Sequence, residues 1–355
     1  MKKIVFIHLF NDRSGSPKVL SQVVRAIHNH DVEIEVLTSG HDNGFLDDVP
    51  GLRRRIFYKR SENKIITLFY YLYSQVFLFV YCLRYCRSDV IFYVNTIMPF
   101  GALLIAKIMR KPVICHVHET SIKPMLLKQF LRSVIQLCAS KVIFVSDYLR
   151  GKEGFSNLTQ HVIHNAINQS VGRSSVKEPF KVLMICSLKA YKGVGEFLNL
   201  ACALANRTDI VFELVLNAEQ EEIQASSLLF DVPSNVNIYS RQSDVSKFYA
   251  SASVLLNLSR MDEWVETFGL TVLEGMSFGL PVIVPPVGGP AEFVEDGQEG
   301  FLISCRDIER LVEAVQYMAD NCDEYERLSI AARRRASQFN IEKFNEDIVR
   351  AVLGA

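Results

Sequence analysis

The hydrophobic positions of the chain fall into short β-branched runs separated by apolar stretches of helical length. In the first half the runs are Ile4–His8, Glu33–Leu37, Val90–Val94, Val113–His116 and Val142–Val145. Pro17–His28, Phe100–Met109 and Met125–Cys138 stand between them with helical spacing. The runs are continuously apolar rather than alternating, as strands covered on both faces are, and strands that alternate with helices form a parallel sheet. The polar, turn-rich stretch Asn168–Pro179 interrupts the pattern, which then restarts with Lys181–Cys186, Val211–Leu216, Val236–Tyr239, Val254–Asn257, Val282–Val284 and Gly300–Ile303. This predicts an α/β protein with two Rossmann-like domains, residues 1–168 and 180–335, joined by a linker over 169–179. A last amphipathic helix falls within 336–355. Open parallel sheets bind ligands beyond the carboxyl ends of their strands, so loops after strands of both domains are expected to line a cleft between them.

One segment departs from the pattern. Ile65–Leu83 carries 19 residues without a charge, seven of them aromatic, between Lys64 and Arg84. Its length would cross a bilayer, but a span there would put the first two strands and the next three on opposite sides of the membrane. Two readings remain, a buried core helix and a helix partly exposed at a membrane interface. The tyrosines and basic flanks fit the second. The N-terminal run is short and is followed at once by Asn11, Asp12 and Arg13, so it reads as a first strand and not as a secretory leader.

With 355 residues, 49% hydrophobic and 22% charged, the composition is that of an ordinary globular protein, neither disordered nor fibrous. Lys plus Arg equals Asp plus Glu at 39 each, yet the balance is divided. Residues 1–170 carry 22 basic and 12 acidic side chains, residues 171–355 carry 17 and 27, and all eight histidines lie at or before His164. Two halves of opposite charge suit two domains with different partners. The eight cysteines show no CxxC pair or metal-ligand rhythm, which fits free thiols in a reducing cytosol.

The stretch from Trp264 to Val284 is the most informative chemically. Thr267 is placed as an N-cap, with a helix from Phe268 to Ser277 ending near Gly279. The amides of Phe268, Gly269 and Leu270 would open that helix and suit hydroxyl oxygens or phosphate, and Gly269 lets a ligand approach the backbone. Glu266 and Glu274 stand roughly 10 Å apart at 1.5 Å per helical residue. That is too far for two acids working on one bond, and it suits two acceptors gripping an extended, hydroxyl-rich ligand. A second element is Ser187-Leu-Lys189-Ala-Tyr-Lys192-Gly193, where a cation beside a strand–helix turn suits a diphosphate leaving group.

The Glu-x7-Glu of Glu266 and Glu274, within ETFGLTVLEGMSFGLPVIVPPVGGPAEFVEDGQEGFLI, resembles the signature of retaining, nucleotide-sugar-dependent glycosyltransferases of the GT-B class, family 4. The resemblance is dense over 181–305 and thinner but consistent in the first half. It implies that Glu274 holds the ribose hydroxyls of the nucleotide, and that Glu266 with the amides of Phe268, Gly269 and Leu270 holds the donor sugar. Lys192 matches the family's Lys-Gly. Many members carry Gly-Arg five to six positions earlier, where this chain has Cys186-Ser187, and Lys189 is the candidate to supply the missing charge. Ser14-Gly15-Ser16-Pro17 resembles the family's Gly-Gly loop beside the donor phosphates, with Ser16 for the second glycine. It is not GxGxxG, so a dinucleotide site is a poor reading. His118-Glu119 matches the family's His-Asp/Glu, where the histidine lies at the reacting sugar. Ser146-Asp147 and Asn165-Ala-Ile fit the family's order of cleft-facing loops. His116 and His118 share one face of a strand, but a third ligand is not evident and no metal or other cofactor is expected.

The expected reaction is a same-face substitution in which the leaving phosphate takes the acceptor proton, with Glu266 orienting donor hydroxyls and His118 at the sugar. The resemblance implies a UDP- or GDP-sugar donor, a hexosyl or N-acetylhexosaminyl group, a saccharide or lipid-linked acceptor, and a role in bacterial surface polysaccharide synthesis. Rival readings are a nucleotide-sugar epimerase of GT-B shape and a non-catalytic sugar-nucleotide-binding protein. Arg53, Arg54, Arg55, Lys59, Arg60 and Lys64 precede the aromatic segment and read either as a solvated loop or, beside residues 65–83, as a contact for anionic headgroups or a lipid diphosphate. The last places a cytoplasmic protein on the inner face of the membrane. Arg333–Arg335 reads as a solvated face, and the last helix is expected to cross back to the first domain.

Overall fold

The computed structural model describes residues 2–40, 44–59, 61, 63–167 and 178–354. The chain forms two compact units, Met1–Asn165 with Ile341–Ala355, and Ala166–Asn340. The expected linker over 169–179 lies, up to residue 177, outside the described residues.

In the first unit the strands are β1 (Lys2–Ile7), β2 (Val32–Ser39), β3 (Leu52–Ile56), β4 (Val90–Asn95), β5 (Val113–Val117), β6 (Lys141–Phe144) and β7 (Thr159–Val162). They pair in parallel in the order β3-β2-β1-β4-β5-β6-β7. Every residue of β4 and β5 is buried, which is why these runs carry no polar alternation. The helices are α1 (Gly15–His28), α2 (Lys64–Cys82), α3 (Phe100–Ile108), α4 (Met125–Cys138) and α5 (Asp147–Glu153). α1 buries Leu20, Val23, Val24 and Ile27, the spacing of one helical face.

The second unit repeats the plan. Its strands β8 (Phe180–Cys186), β9 (Ile210–Leu216), β10 (Val236–Tyr239), β11 (Val254–Leu256), β12 (Val282–Val284) and β13 (Gly300–Leu302) form a parallel sheet in the order β10-β9-β8-β11-β12-β13. Its helices are α6 (Val194–Ala203), α7 (Gln220–Gln224), α8 (Ser246–Ser251), α9 (Leu270–Ser277), α10 (Ile308–Asp320) and α11 (Cys322–Ala336). Phe197, Phe212, Leu214, Ile283 and Tyr325 centre the core. In both sheets the strand order reverses beside the first strand, between β1 and β4 and between β8 and β11. Such switch points open a crevice at the carboxyl end. These are the two Rossmann-like domains that the sequence pattern predicts. The last helix, α12 (Ile341–Leu353), belongs to the first unit, where it packs on α1 and Lys141 Nζ donates to the Ala351 carbonyl at 2.9 Å.

Two local expectations change, and an open one is narrowed. Arg53, Arg54 and Arg55 are not in a loop but in the edge strand β3, where Arg53 pairs with Asp47 and Arg54 Nε lies 3.7 Å from the buried Glu35. Charged side chains on an edge strand discourage further strand pairing, so the sequence disguised a strand as a basic cluster. Arg60 lies outside the described residues. Of the two readings of α2, a buried core helix and a partly exposed one, the partial exposure is found. Tyr71, Ser74, Gln75, Leu78 and Cys82 are buried, while Ile65, Phe69 and Val76 are 78%, 65% and 64% exposed. Although α2 is long and apolar enough to cross a membrane, it joins β3 to β4 of one sheet, and its inner face is pinned there. Tyr71 Oη donates to the Met98 carbonyl at 2.7 Å and the Gly101 amide to Gln75 Oε1 at 3.0 Å. Finally, Arg335 pairs with the buried Glu299 at 3.2 Å and Arg333 Nε is buried, so that stretch is partly packed and not simply a solvated face. All eight cysteines are free; Cys86, Cys202 and Cys322 are exposed.

Candidate active site

At the switch point of the second unit, the turn after β8 carries Ser187, Lys189 and Lys192. Ser187 is half-buried and its carbonyl accepts from the Lys189 amide at 2.8 Å. Lys189 is exposed and makes no ion pair among the described residues. Gly193, with φ 82°, follows Lys192, and a Cβ there would stand 2.1 Å from the Leu258 carbonyl. Only glycine lets this turn lie so close to the loop after β11. Lys192 therefore meets that loop: its Nζ lies 2.7 Å from Glu266 Oε2 and 5.6 Å from the centre of the Trp264 ring, which stacks on Tyr191. Burial alone would lower the Lys192 ammonium, but the neighbouring Glu266 carries the net shift upward, so Lys192 stays charged.

Glu266 is held from below by Gly288-Gly289. The Gly289 amide donates to the Glu266 carbonyl at 2.8 Å, and a Cβ on Gly289 would fall 2.3 Å from the Thr267 carbonyl. The helix after this loop starts later than expected. Gly269, in the left-handed region at φ 92°, is the N-cap of α9, and Thr267 is not. Phe268 precedes the helix, with its ring buried against Phe293 and Phe339, so only its backbone can face a ligand. Leu270 is the first helical residue. Glu274 is half-buried one turn on, and the buried Tyr249 at the end of α8 donates its hydroxyl to Glu274 Oε2 at 2.9 Å. Burial, then the Glu274 charge, hold the Tyr249 phenol well above its ordinary value, so it stays a donor. A Cβ on Gly275 would stand 2.6 Å from Leu255 Cδ2, so glycine there lets α9 lie against β11.

In the first unit a cavity at the switch point is lined by His8, Asp12, Ser14, Ser16, Tyr58, Thr96 and Glu119. Gly15 is exposed at the head of α1, after Ser14, whose amide donates to Asp12 Oδ1 at 3.0 Å. His118 is 9% exposed and does not itself line the cavity; its Nε2 lies 2.9 Å from Asn95 Oδ1. His116 is fully buried with Nδ1 2.7 Å from the Tyr93 hydroxyl. Burial lowers the His116 imidazole to about 3, and burial with the neighbouring His116 and His8 holds His118 well below its ordinary value. Both rings are neutral near pH 7. Burial raises Glu119 to about 7, despite backbone amides that favour its anion, and its Oε2 is buried without a partner.

The structure thus brings Lys192 to Glu266 within one unit and gives Glu274 a fixed partner, while Lys189 stands in solvent. Reading the sequence missed Tyr249, Asn95, His8 and the Gly288-Gly289 support. Adjacent glycines after β12 were the one available signal. The others act through contacts 23 to 87 positions apart, between strand ends and helices that only the sheet order brings together.

Two known families match this chain, one in each half. The family description "Glycosyl transferases group 1" matches residues 168–335, and "Glycosyltransferase Family 4" matches residues 13–171. The chain belongs to these family-4, group-1 glycosyltransferases. An uncharacterized glycosyltransferase of Haemophilus influenzae is 30% identical over 169 residues, 47% of each chain, and a sucrose synthase of Thermosynechococcus vestitus is 25% identical over 174 residues, 44% of this chain and 22% of that one. The chain therefore matches about half or less of the length of these relatives. HepE of Anabaena, solved with UDP-glucose, superposes with a TM-score of 0.82 over 100% of both chains at 18% identity. The lipopolysaccharide outer core galactosyltransferase WaaB superposes with a TM-score of 0.71 at 16% identity, over 100% of this chain and 99% of that one.

Proposed function

We propose that the protein transfers a hexosyl or N-acetylhexosaminyl group from a UDP- or GDP-sugar to a saccharide or lipid-linked saccharide, with retention of the anomeric configuration. The Lys192–Glu266 contact of 2.7 Å at the second switch point carries this reading, because it sets a cation for a diphosphate beside a carboxylate for sugar hydroxyls. A carboxylate engaged by an ammonium is a weak nucleophile and base, which supports Glu266 as an orienting group. The bond between the anomeric carbon and the phosphate oxygen breaks with its electrons leaving on the nucleoside diphosphate. The acceptor oxygen bonds to the same face of that carbon, and its proton passes to the departing phosphate. Lys192 offsets the charge gathering there, Glu274 holds the ribose, and His118 orients a sugar hydroxyl as a neutral ring. Gly15, Ser16 and the amides near Gly269 and Leu270 complete the oxygen contacts, with Lys189 and Ser187 at the edge of the phosphate site. This scheme requires no metal or organic cofactor.

The HepE complex with UDP-glucose makes uridine donors the first to test. Thermal shift over UDP- and GDP-sugars, followed by NMR of the anomeric proton in the product, tests donor and stereochemistry together, and an inverted product would end the retaining assignment. An epimerase would interconvert the donor without transfer, and a binding protein would do neither.

The exposed face of α2, with Ile65, Phe69 and Val76, lies in the chain just after Arg53, Arg54, Arg55 and Lys59, and Met125 and Leu126 of α4 are likewise 62% and 79% exposed. Apolar side chains beside cations fit an anionic lipid surface, so the reading includes a peripheral cytoplasmic protein at the membrane that meets a lipid-linked acceptor in surface polysaccharide synthesis.

A further inference from the structure

Asn95, the last residue of β4, is wholly buried where the ends of β1, β4 and β5 meet. Its Nδ2 donates to the Ser16 carbonyl at 3.1 Å and contacts His8 Nδ1 at 3.1 Å. A carbonyl oxygen can only accept, so the contact with Ser16 fixes which end of the amide is nitrogen. Oδ1 is then the acceptor for His118 Nε2 at 2.9 Å, and His118 must carry its proton on Nε2 and a lone pair on Nδ1. By the same reasoning His8 accepts at Nδ1 and carries its proton on Nε2. Its approach to the Asn95 carbonyl, 3.5 Å, is too long to reverse this. Immediately after Asn95, Thr96 adopts φ 75°, a costly conformation for a β-branched residue, while its amide donates to the His116 carbonyl at 2.8 Å.

We propose that Asn95 is a positioning residue: it holds His8 and His118 as Nε2–H tautomers and ties both to the Ser16 turn. The loops after β1, β4 and β5 then present one fixed pattern of donors and acceptors to substrate oxygens. His8 and Ser16 line the cavity and Asn95 does not, so Asn95 works through them. Because the imidazoles are neutral, each has two tautomers to choose between, and a ring turned to the other would offer a donor where a hydroxyl hydrogen needs an acceptor. The functional part rests on the reading of His118 as a group at the reacting sugar.

The test begins with the native protein, labelled with 15N-histidine. NMR is expected to show His8 and His118 protonated on Nε2 and bare on Nδ1. An Nδ1–H signal from either ring overturns the proposal, and this measurement depends on no variant folding. Asn95→Ala is expected to mix the tautomers and lower turnover at saturating UDP-sugar about tenfold, the worth of one good hydrogen bond. Asn95→Asp places a carboxylate against both rings, raises their titrations, and adds a limb to the pH–rate profile in the range where they now ionise. His116 also acts on His118, so the same titration in a His116→Phe background assigns the shift. Unchanged turnover and profile in both Asn95 variants, with transfer lost in His118→Ala, overturns the positioning role alone. Full transfer in His118→Ala overturns the reading of the site on which it rests.

Discussion

Lys192 Nζ lies 2.7 Å from Glu266 Oε2, so in the chain by itself the two groups proposed to hold the phosphates and the sugar satisfy each other. On that proposal a donor has to come between them. Charge-assisted hydrogen bonds are worth about 1.5–3 kcal/mol, so Lys192→Ala is expected to weaken donor binding about 10- to 100-fold. Glu266→Gln removes the competing anion. Calorimetry is then expected to find UDP bound as well or better, while transfer falls because the sugar is no longer oriented. Weaker UDP binding in Glu266→Gln would mean that the pair does not compete with phosphate.

The Tyr249 hydroxyl donates to one oxygen of Glu274 and so aims the carboxylate. Tyr249→Phe should keep the ring packing near Phe278 and lose about 1 kcal/mol of nucleotide affinity. The sharper readout is the penalty for removing a ribose hydroxyl. In the native protein 2′- or 3′-deoxy-UDP should bind more weakly than UDP, and in Tyr249→Phe the gap should narrow. An equal gap in both proteins would detach Tyr249 from ribose recognition.

Glu119 gives a pH signature. Burial raises it to about 7 from 4.5, so between those values the unfolded chain loses a proton that the folded chain keeps. Stability from this group therefore falls as pH rises from about 4.5 to 7 and then levels off, by on the order of 2 kcal/mol once its partial exposure is allowed for. The buried His116 and His118, whose values are lowered, act in the opposite sense below pH 6.5. The difference in Tm between native protein and Glu119→Gln isolates the carboxyl, and a difference that does not change between pH 5 and 7 would contradict the assignment.

The α2 face should bind anionic vesicles in a salt-dependent manner. Reversing Arg54 and Arg55 to Glu is expected to weaken co-sedimentation by about 1 kcal/mol per charge or more, and Ile65→Ser with Phe69→Ser to weaken it further without loss of fold, since both side chains are exposed. Binding that survives all four changes would point to another surface.

The sequence showed most of the architecture because central parallel strands must be apolar throughout; β4 and β5 are entirely buried and read as such. It concealed β3, whose three arginines edge the sheet, and β7, Thr159–Val162, where only partial burial leaves a polar composition. The start of α9 was misplaced by two residues because Gly269 caps it through a left-handed backbone rather than a side-chain oxygen. The charge division between the halves was visible in the sequence, but the way Lys192 and Glu266 neutralise each other was not, since 74 positions separate them.

The most direct measurement is release of nucleoside diphosphate from UDP- and GDP-sugars, with and without saccharide acceptors, by native protein, Lys192→Ala and Glu274→Gln. The account predicts release from at least one donor, faster with an acceptor and at least tenfold slower in each variant. Absence of binding and release across the donors, or release that both variants leave unchanged, would contradict it.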